Sequence, residues 1–176
     1  MTRVNFSLMN CVIAVLAVAA CISLSGCGQM GYSNESLYPS QIGSVYVEMF
    51  DNRSFWRGVE YKLTDALAKR IEAGTPYKVV SSRDRADSVI SGQITSIDQG
   101  ALSGERQTGR VLQKEVLISA VVSWKDLKTG QLLLDNQVLS ASANYSEWQN
   151  QSFDYASTLA ANKLAQQIVE SMGKSW

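Results

Sequence analysis

The sequence contains no histidine, and its three cysteines all lie within the first 27 residues. Without histidine a chain cannot form a Ser-His-Asp triad, use an imidazole as a general base, or build the usual Cys/His zinc sites. From residue 28 onward there is no cysteine either, so no disulfide can form in that part of the chain. These absences exclude the most familiar hydrolytic and metal-dependent chemistry. They agree with a protein that is not an enzyme and uses no metal or other cofactor.

The chain also lacks an excess of charge of either sign, with 16 basic and 16 acidic residues. Domains that bind nucleic acid carry clustered positive charge, so we predict no nucleic-acid partner. Removal of residues 1–26 would leave 176 − 26 = 150 residues. That length suits one domain with a hydrophobic core, and two domains are not expected.

The first 26 residues have the composition of a bacterial export signal. Arg3 lies near the start, an apolar run extends from Cys11 to Ile22, and small residues precede Cys27. The sequence Leu24-Ser25-Gly26-Cys27 resembles the lipobox of bacterial lipoproteins. That resemblance implies that a signal peptide, residues 1–26, is removed and that Cys27 carries the lipid. The alternatives are an uncleaved membrane anchor and a plain signal peptide, although the apolar run is short for a membrane-spanning helix.

Lipidation of Cys27 would fix the protein to a membrane. Each buried methylene contributes roughly 0.8 kcal/mol, so two or more acyl chains, such as palmitate, give a stable anchor. In proteobacterial lipoproteins an aspartate after the cysteine commonly means retention at the inner membrane, whereas this chain has Gly28. The resemblance thus implies the outer membrane, facing the periplasm. Residues 27–40 are small and polar and are predicted to form a flexible tether, with a single α/β domain over residues 41–176.

The hydrophobic pattern of this domain predicts the order β-α-β-β-β-β-α. Apolar residues three and four positions apart predict helices over residues 55–73 and 152–172. The first helix is predicted to start after Ser54, which can cap it, and to bury the stripe Val59, Leu63, Ala66, Leu67 and Ile71. Strands are predicted over residues 42–50, 77–81, 88–98, 111–124 and 131–143, with Asp51 and Asn52 as turn residues after the first strand. Alternate residues of the fourth strand, such as Ile118 and Val122, fall on its apolar face. The polar residues 99–110 are predicted to form a mobile loop. We expect an α+β two-layer sandwich, with two amphipathic helices on one face of a four- to five-stranded, mixed, mostly antiparallel sheet. The other face would be exposed unless a partner or a lipid-like ligand covers it.

Two groups of residues are candidates for binding. Arg106 and Arg110 lie in the predicted loop, and arginine on a mobile loop suits phosphate or acidic sugar groups, although both could simply keep the loop soluble. Phe55, Trp56, Tyr145 and Trp148 lie at the ends of predicted elements. Aromatic rings there either close the edge of the core or contact a partner protein.

Several segments together resemble the LPS-assembly lipoprotein family (LptE-type). The segments are Gly26-Cys27-Gly28 with Tyr32 soon after, Phe50-Asp-Asn52-Arg-Ser54, Glu60-Tyr-Lys-Leu63-Thr64-Asp-Ala66-Leu67, Tyr77-Lys-Val79-Val80, Ala86-Asp87-Ser-Val89-Ile-Ser-Gly92-Gln-Ile94-Thr95, Asp126-Leu-Lys-Thr129-Gly130 and Ser171-Met-Gly-Lys-Ser-Trp176. The resemblance implies a non-catalytic lipoprotein that plugs an outer-membrane β-barrel of the LptD type and assists the insertion of lipopolysaccharide into the outer leaflet. In that family the tip between two central strands faces the ligand, which implies Arg106 and Arg110 as phosphate contacts.

The alternative is another periplasmic lipoprotein of similar fold, either an activator of peptidoglycan synthases or a component of a secretion pore. Such proteins share the phrase Ala-Asp-x-Val-Ile-x-Gly, found here from Ala86 to Gly92. A pore subunit would need strands of about ten residues that alternate cleanly between apolar and polar side chains. Residues 88–98 do not alternate in this way.

Overall fold

The computed structural model describes residues 37–104 and 111–173. The strands are β1 (Ser44–Val47), β2 (Asp51–Asn52), β3 (Lys78–Val79), β4 (Ser88–Gly104), β5 (Val111–Asp126) and β6 (Leu132–Tyr145), and the helices are α1 (Val59–Gly74) and α2 (Phe153–Ser171). Short 3-10 helices occupy Arg83–Arg85 and Glu147–Gln149. Neither α1 nor α2, nor any other helix in the two described ranges, has the length and apolar character needed to cross a membrane.

The six strands form one mixed sheet in the order β3-β1-β4-β5-β6, and β2 also pairs with β4. The short strands β1, β2 and β3 pair in parallel, whereas β4, β5 and β6 form an antiparallel meander. The predicted α+β sandwich is confirmed. The sheet has six strands rather than four or five, because the segment predicted as one strand over residues 42–50 stops at Val47. Asp51 and Asn52, predicted as turn residues, instead form β2 beside β4.

Both helices bury one side against the sheet. The stripe predicted for α1 is confirmed residue by residue: Val59, Leu63, Ala66, Leu67 and Ile71. Helix α2 buries alanines at positions 156, 160, 161 and 165, which have almost no side chain to separate the helix from its neighbours. Two contacts show that the helices run in the same direction. Lys62 and Asp154 form an ion pair near the beginnings of α1 and α2, and further along Arg70 Nε donates to the Asn162 carbonyl at 3.1 Å. Buried apolar residues from both helices and from β4, β5 and β6 form one core.

The start of α1 differs from the prediction. The helix begins at Val59 rather than near Phe55, and its N-cap is Gly58 with φ +92°, so Ser54 is not the cap. Glycine suits that backbone conformation because it has no Cβ. At α2, by contrast, the predicted start is confirmed, since the Ser152 hydroxyl accepts a hydrogen bond from the Tyr155 N–H.

The long β4–β5 hairpin is the second difference. Residues 99–104 were predicted to lie in an irregular loop, but β4 continues to Gly104, which pairs with Val111. Strand β5 supplies hydrogen-bonding partners along this length, and that pairing outweighs the low strand propensity of glycine and serine. Register shifts in the outer part of the hairpin accommodate the irregular sequence. The connecting residues 105–110 lie outside the described residues.

Gly92 is the point of closest approach within the sheet. A Cβ on this residue would lie 2.4 Å from Cε1 of Phe50 and 2.8 Å from the carbonyl oxygen of Val121. The ring of Phe50 is buried in the core. The close backbone approach expected for a glycine inside a strand is therefore present here.

Candidate functional site

The two ends of the sheet differ in what they contain. The chain enters at β1, where Val45 pairs with Ser88 at the beginning of β4, and the β4–β5 hairpin closes at Gly104 and Val111. Strand β4 has 17 residues, which at about 3.3 Å per residue is roughly 55 Å. We call the end with Ser88 the proximal end and the end with Gly104 and Val111 the distal end.

The predicted ligand and lipid positions lie outside the described residues. Arg106 and Arg110 belong to the connection between Gly104 and Val111, and Cys27 precedes the described part of the chain. The sites predicted at these three residues stay predictions. Tyr38 and Pro39, which the sequence placed in the tether, contact the domain: the Tyr77 hydroxyl donates to the Pro39 carbonyl at 3.2 Å, and the Tyr38 and Tyr77 rings pack edge to face.

A hydrogen-bonded turn over residues 52–58 precedes α1. The Asn52 side chain accepts from the Ser54 N–H at 2.8 Å and donates to the Trp56 carbonyl at 2.7 Å. It also donates to the Glu60 carboxylate at 2.7 Å, which in turn accepts from the Gly58 N–H at 3.0 Å. Burial alone would raise the pKa of Glu60, but these hydrogen bonds lower it below the ordinary value. The turn is therefore fixed by contacts within itself.

This turn presents aromatic side chains at the beginning of both helices. The Trp56 ring stacks on Phe153 with a centroid distance of 3.8 Å and an interplanar angle of 23°. Phe55 is fully exposed, and Trp148, in the 3-10 helix before α2, is also exposed. Trp56 and Trp148 thus present exposed ring surface, and the partner contact predicted at these residues stays a prediction.

Tyr145 is a core residue rather than a contact surface. It is only 3% exposed and belongs to the hydrophobic core, and its hydroxyl accepts a hydrogen bond from the Gln99 amide of β4. Of the two alternatives open for this ring, the structure supports closure of the core edge. The contact with Gln99 exists only because β4 extends beyond its predicted end.

An ion pair between Lys114 and Glu147 joins β5 to the 3-10 helix Glu147–Gln149. Lys114 Nζ donates to Glu147 Oε1, and this hydrogen bond raises the pKa of the lysine above its ordinary value. Within residues 37–104 and 111–173, no three histidine, cysteine, aspartate or glutamate side chains are grouped so as to hold a metal ion.

At the proximal end, Asp87 joins β1, β4 and the β5–β6 turn. Its Oδ2 accepts from the Gly43 N–H at 3.0 Å and from the N–H and hydroxyl of Ser44 at 2.9 Å each, and its Oδ1 accepts from Lys128 Nζ at 2.6 Å. The hydrogen bond from Lys128 and those from Ser44 and Gly43 hold the pKa of Asp87 well below its usual range. Asp87 and Lys128 belong to two of the segments quoted for the family resemblance, so these segments meet in a structural contact.

The turn that carries Lys128 is itself ordered by an aspartate. Asp126 Oδ1 accepts from the Lys128 N–H at 2.7 Å and from the Thr129 N–H at 3.2 Å, and Gly130 has φ +76°. No role for Asp87 was predicted from the sequence, since a single aspartate before a strand has no distinctive spacing. Its partners are residues 43, 44 and 128, which come together only in the folded sheet.

Comparison with known proteins adds a family match and a fold match. A family model described as LptE, lipopolysaccharide-assembly, matches residues 42–172. No curated protein matches the chain. Among solved structures, it is similar to an uncharacterized lipoprotein B from Nitrosomonas europaea, with 16% identity and a TM-score of 0.52 over 81% of this chain and 88% of that one.

Two further solved structures are similar. A protein from Xanthomonas campestris has 10% identity and a TM-score of 0.52 over 75% of this chain and 87% of its own. A hypothetical protein from Chlamydia trachomatis has 15% identity and a TM-score of 0.49 over 73% of this chain and 94% of its own. At such identities the first two structures support the fold alone.

Proposed function

This chain belongs to the LptE family of lipopolysaccharide-assembly lipoproteins, and on that basis we propose that it plugs an outer-membrane β-barrel of the LptD type and assists the insertion of lipopolysaccharide into the outer leaflet. The observation that carries the proposal is the extent of the family match. Residues 42–172 include every strand and helix from β1 to α2. In this role the protein acts by binding and positioning, without catalysing a reaction.

The proposed anchor is a lipid on Cys27, after removal of residues 1–26, with residues 27–40 as the link to the domain. Because the chain enters the sheet at the proximal end, this link joins the domain at the end opposite the β4–β5 connection. The distal end is then the part of the domain carried furthest from the point where the link joins it. The lipobox sequence and the glycine at position 28 support attachment to the outer membrane on its periplasmic side.

The proposed ligand contacts are Arg106 and Arg110, with the phosphates of lipopolysaccharide as their partners. An arginine guanidinium forms paired hydrogen bonds to phosphate oxygens, which makes it suited to this ligand. Both residues lie in the six-residue connection between the paired strand ends Gly104 and Val111. The exposed rings of Trp56 and Trp148 are proposed contacts to the barrel, since tryptophan contributes large contact area at protein interfaces.

Purification of the full-length lipidated protein from its own envelope tests the proposal. We expect a large outer-membrane β-barrel protein to copurify with it. A Cys27→Ala variant is expected to leave the membrane fraction after a high-salt wash. Recovery of a peptidoglycan synthase without a barrel would favour the alternative function, and a membrane-bound Cys27→Ala protein would contradict the lipid anchor.

Binding of purified lipopolysaccharide to the full chain tests the ligand contacts. We expect the Arg106→Ala, Arg110→Ala double variant to bind at least about fivefold more weakly, a loss of about 1 kcal/mol, since each charge-assisted hydrogen bond contributes about that much or more. The matched control is Arg83→Ala, which removes an exposed arginine that pairs with Glu48 away from the β4–β5 connection. Equal affinities of the double variant and the unsubstituted protein would eliminate these two residues as contacts.

A further inference from the structure

The face of the β4–β5–β6 sheet that points away from the helices is uncovered in the described part of the chain. Along β5, Ile118 and Ala120 point into the core, so the alternating residues Leu117, Ser119 and Val121 point to the opposite face. On β6 the corresponding residue Val138 is 67% exposed. Both helices are already packed on the core side, so neither of them covers this surface.

This surface is built of short side chains in three rows across the strands. The rows are Gln93–Val121–Val138, Ser96–Ser119–Ser140 and Asp98–Leu117–Ser142, and we call these nine residues the serine face. It contains no lysine, arginine or glutamate, and its one charged residue, Asp98, is at its border. A sheet face that meets water commonly carries long charged side chains, whereas the centre of a protein interface is depleted of charge. The serine face shares with the centre of an interface the absence of long charged side chains.

Three of the four serine hydroxyl groups on the serine face are already paired with protein atoms. Ser140 Oγ donates to Ser119 Oγ at 2.9 Å, and Ser96 Oγ donates to Asp98 Oδ2 at 2.9 Å. Covering a polar group costs free energy mainly when the group loses its hydrogen bond, so these serines can be covered at little cost. Serine and valine also lose little side-chain entropy when they become fixed. Another sheet could therefore approach to the usual distance of about 10 Å.

The area of the serine face limits which partner it fits. Three strands about 4.8 Å apart and three rows about 6.8 Å apart give roughly 300 Å², whereas a stable interface buries about 800 Å² on each partner. Two copies of this chain that met only through these faces would fall well short of that value. The partner must touch other surfaces of the domain at the same time, which a sheet that encloses the domain does.

We propose that the serine face lies against the inner wall of the β-barrel partner, at a region where the wall also presents short, uncharged side chains. This inference rests on the proposed function and assigns the contacting surface. The exposed helix side, which carries pairs such as Asp65 and Lys69, is then turned away from this part of the wall.

Site-specific photocrosslinking in the native envelope tests this assignment. A benzoylphenylalanine is placed at Val138 or Ser140 of the full-length lipidated protein, with Lys69 on α1 as the matched exposed control. We expect at least fivefold more crosslinking to the barrel from the two serine-face positions than from the control. Equal or greater crosslinking from Lys69, or crosslinks from the serine face only to this chain or a second copy, would overturn the assignment while the proposed function stands. Absence of any barrel from the purified unsubstituted protein would overturn both.

A charge placed on the face provides an independent measurement. Ser140→Arg is expected to lower the recovery of the barrel at least tenfold, because the arginine would be covered without a partner, while its melting temperature stays close to that of the unsubstituted protein. Ser140→Thr keeps the hydroxyl and is expected to leave recovery unchanged. Normal recovery of the barrel with a folded Ser140→Arg protein would refute the proposal.

Discussion

Replacement of Asp87 tests whether this residue holds the proximal end of the sheet together. In Asp87→Ala, the N–H groups of Gly43 and Ser44, the Ser44 hydroxyl and Lys128 Nζ all lose their acceptor. These donors come from β1, the segment before it and the β5–β6 turn. We therefore expect loss of stability rather than loss of a specific binding activity.

The size of the effect follows from the exposure of each donor. The Ser44 N–H is partly buried, so its hydrogen bond to a charged acceptor contributes about 1.5–3 kcal/mol. Gly43 is exposed and water can replace its lost bond. Lys128 is 66% exposed against 23% for Asp87, so their ion pair contributes about 1 kcal/mol or less. The sum for Asp87→Ala is about 3 kcal/mol.

Urea unfolding at pH 7, followed by tryptophan fluorescence, measures this loss. Asp87→Asn keeps one acceptor oxygen and is expected to lose about 1–2 kcal/mol, while Lys128→Met is expected to lose about 1 kcal/mol or less. The loss of stability is therefore expected to be largest in Asp87→Ala, smaller in Asp87→Asn and smallest in Lys128→Met. If Lys128→Met were as unstable as Asp87→Ala, the ion pair would be the dominant contact and the role assigned to the backbone bonds would be refuted.

Three further predictions concern packing and pH. Gly92→Ala is expected to lower the free energy of unfolding, measured in urea, by about 2–3 kcal/mol, because the new methyl group would overlap the buried Phe50 ring and a β5 carbonyl. A decrease below about 0.5 kcal/mol would contradict this. The pKa of Asp87 is lowered from 3.8 in the folded protein, so its ionised carboxylate stabilises the fold above about pH 4 and this stabilisation is lost as the pH falls below that value. The acid decline in unfolding free energy is therefore expected to be shallower in Asp87→Asn than in the unsubstituted protein, and parallel declines would contradict this. Burial raises the pKa of Tyr77 to about 12, and Tyr38 adds to the shift, so the stability that the neutral Tyr77 side chain contributes is expected to be lost between pH 10 and 12. Ultraviolet titration of the tyrosines measures this pKa, and a group near 12 that is still present in Tyr77→Phe would refute its assignment to Tyr77.

The parts of the fold that follow from local pattern were predicted well. The α1 stripe at positions 59, 63, 66, 67 and 71 depends on the helical period alone, and each of these residues is buried. Strand β5 alternates over most of its length, and its core residues, such as Ile118 and Val122, were identified for the same reason. The order of elements and the two-layer architecture followed from these patterns.

The parts that depend on distant residues could not be read from local pattern. Residues 99–104 have weak strand propensity and are ordered by pairing with β5, and Asp51 and Asn52 become a strand only because β4 lies beside them. Helix α1 begins at Val59 because the hydrogen-bonded turn around Asn52 occupies the residues before it, although the apolar spacing predicted a start at residue 55. The partner of the Tyr145 hydroxyl was also missed, because Gln99 lies in the part of β4 beyond its predicted end.

The position of α2 along the chain bears on when the protein can become folded. This helix occupies residues 153–171 and supplies much of the core, whereas the first half of the domain contains strands of four, two and two residues that need β4 as a neighbour. As the polypeptide emerges from a ribosome or a translocation channel, its early segments have nothing to pack against, so native structure forms late and cooperatively. We expect fragments that stop before Phe153 to remain unfolded and to be degraded quickly, which delays compaction until nearly the whole domain has been delivered.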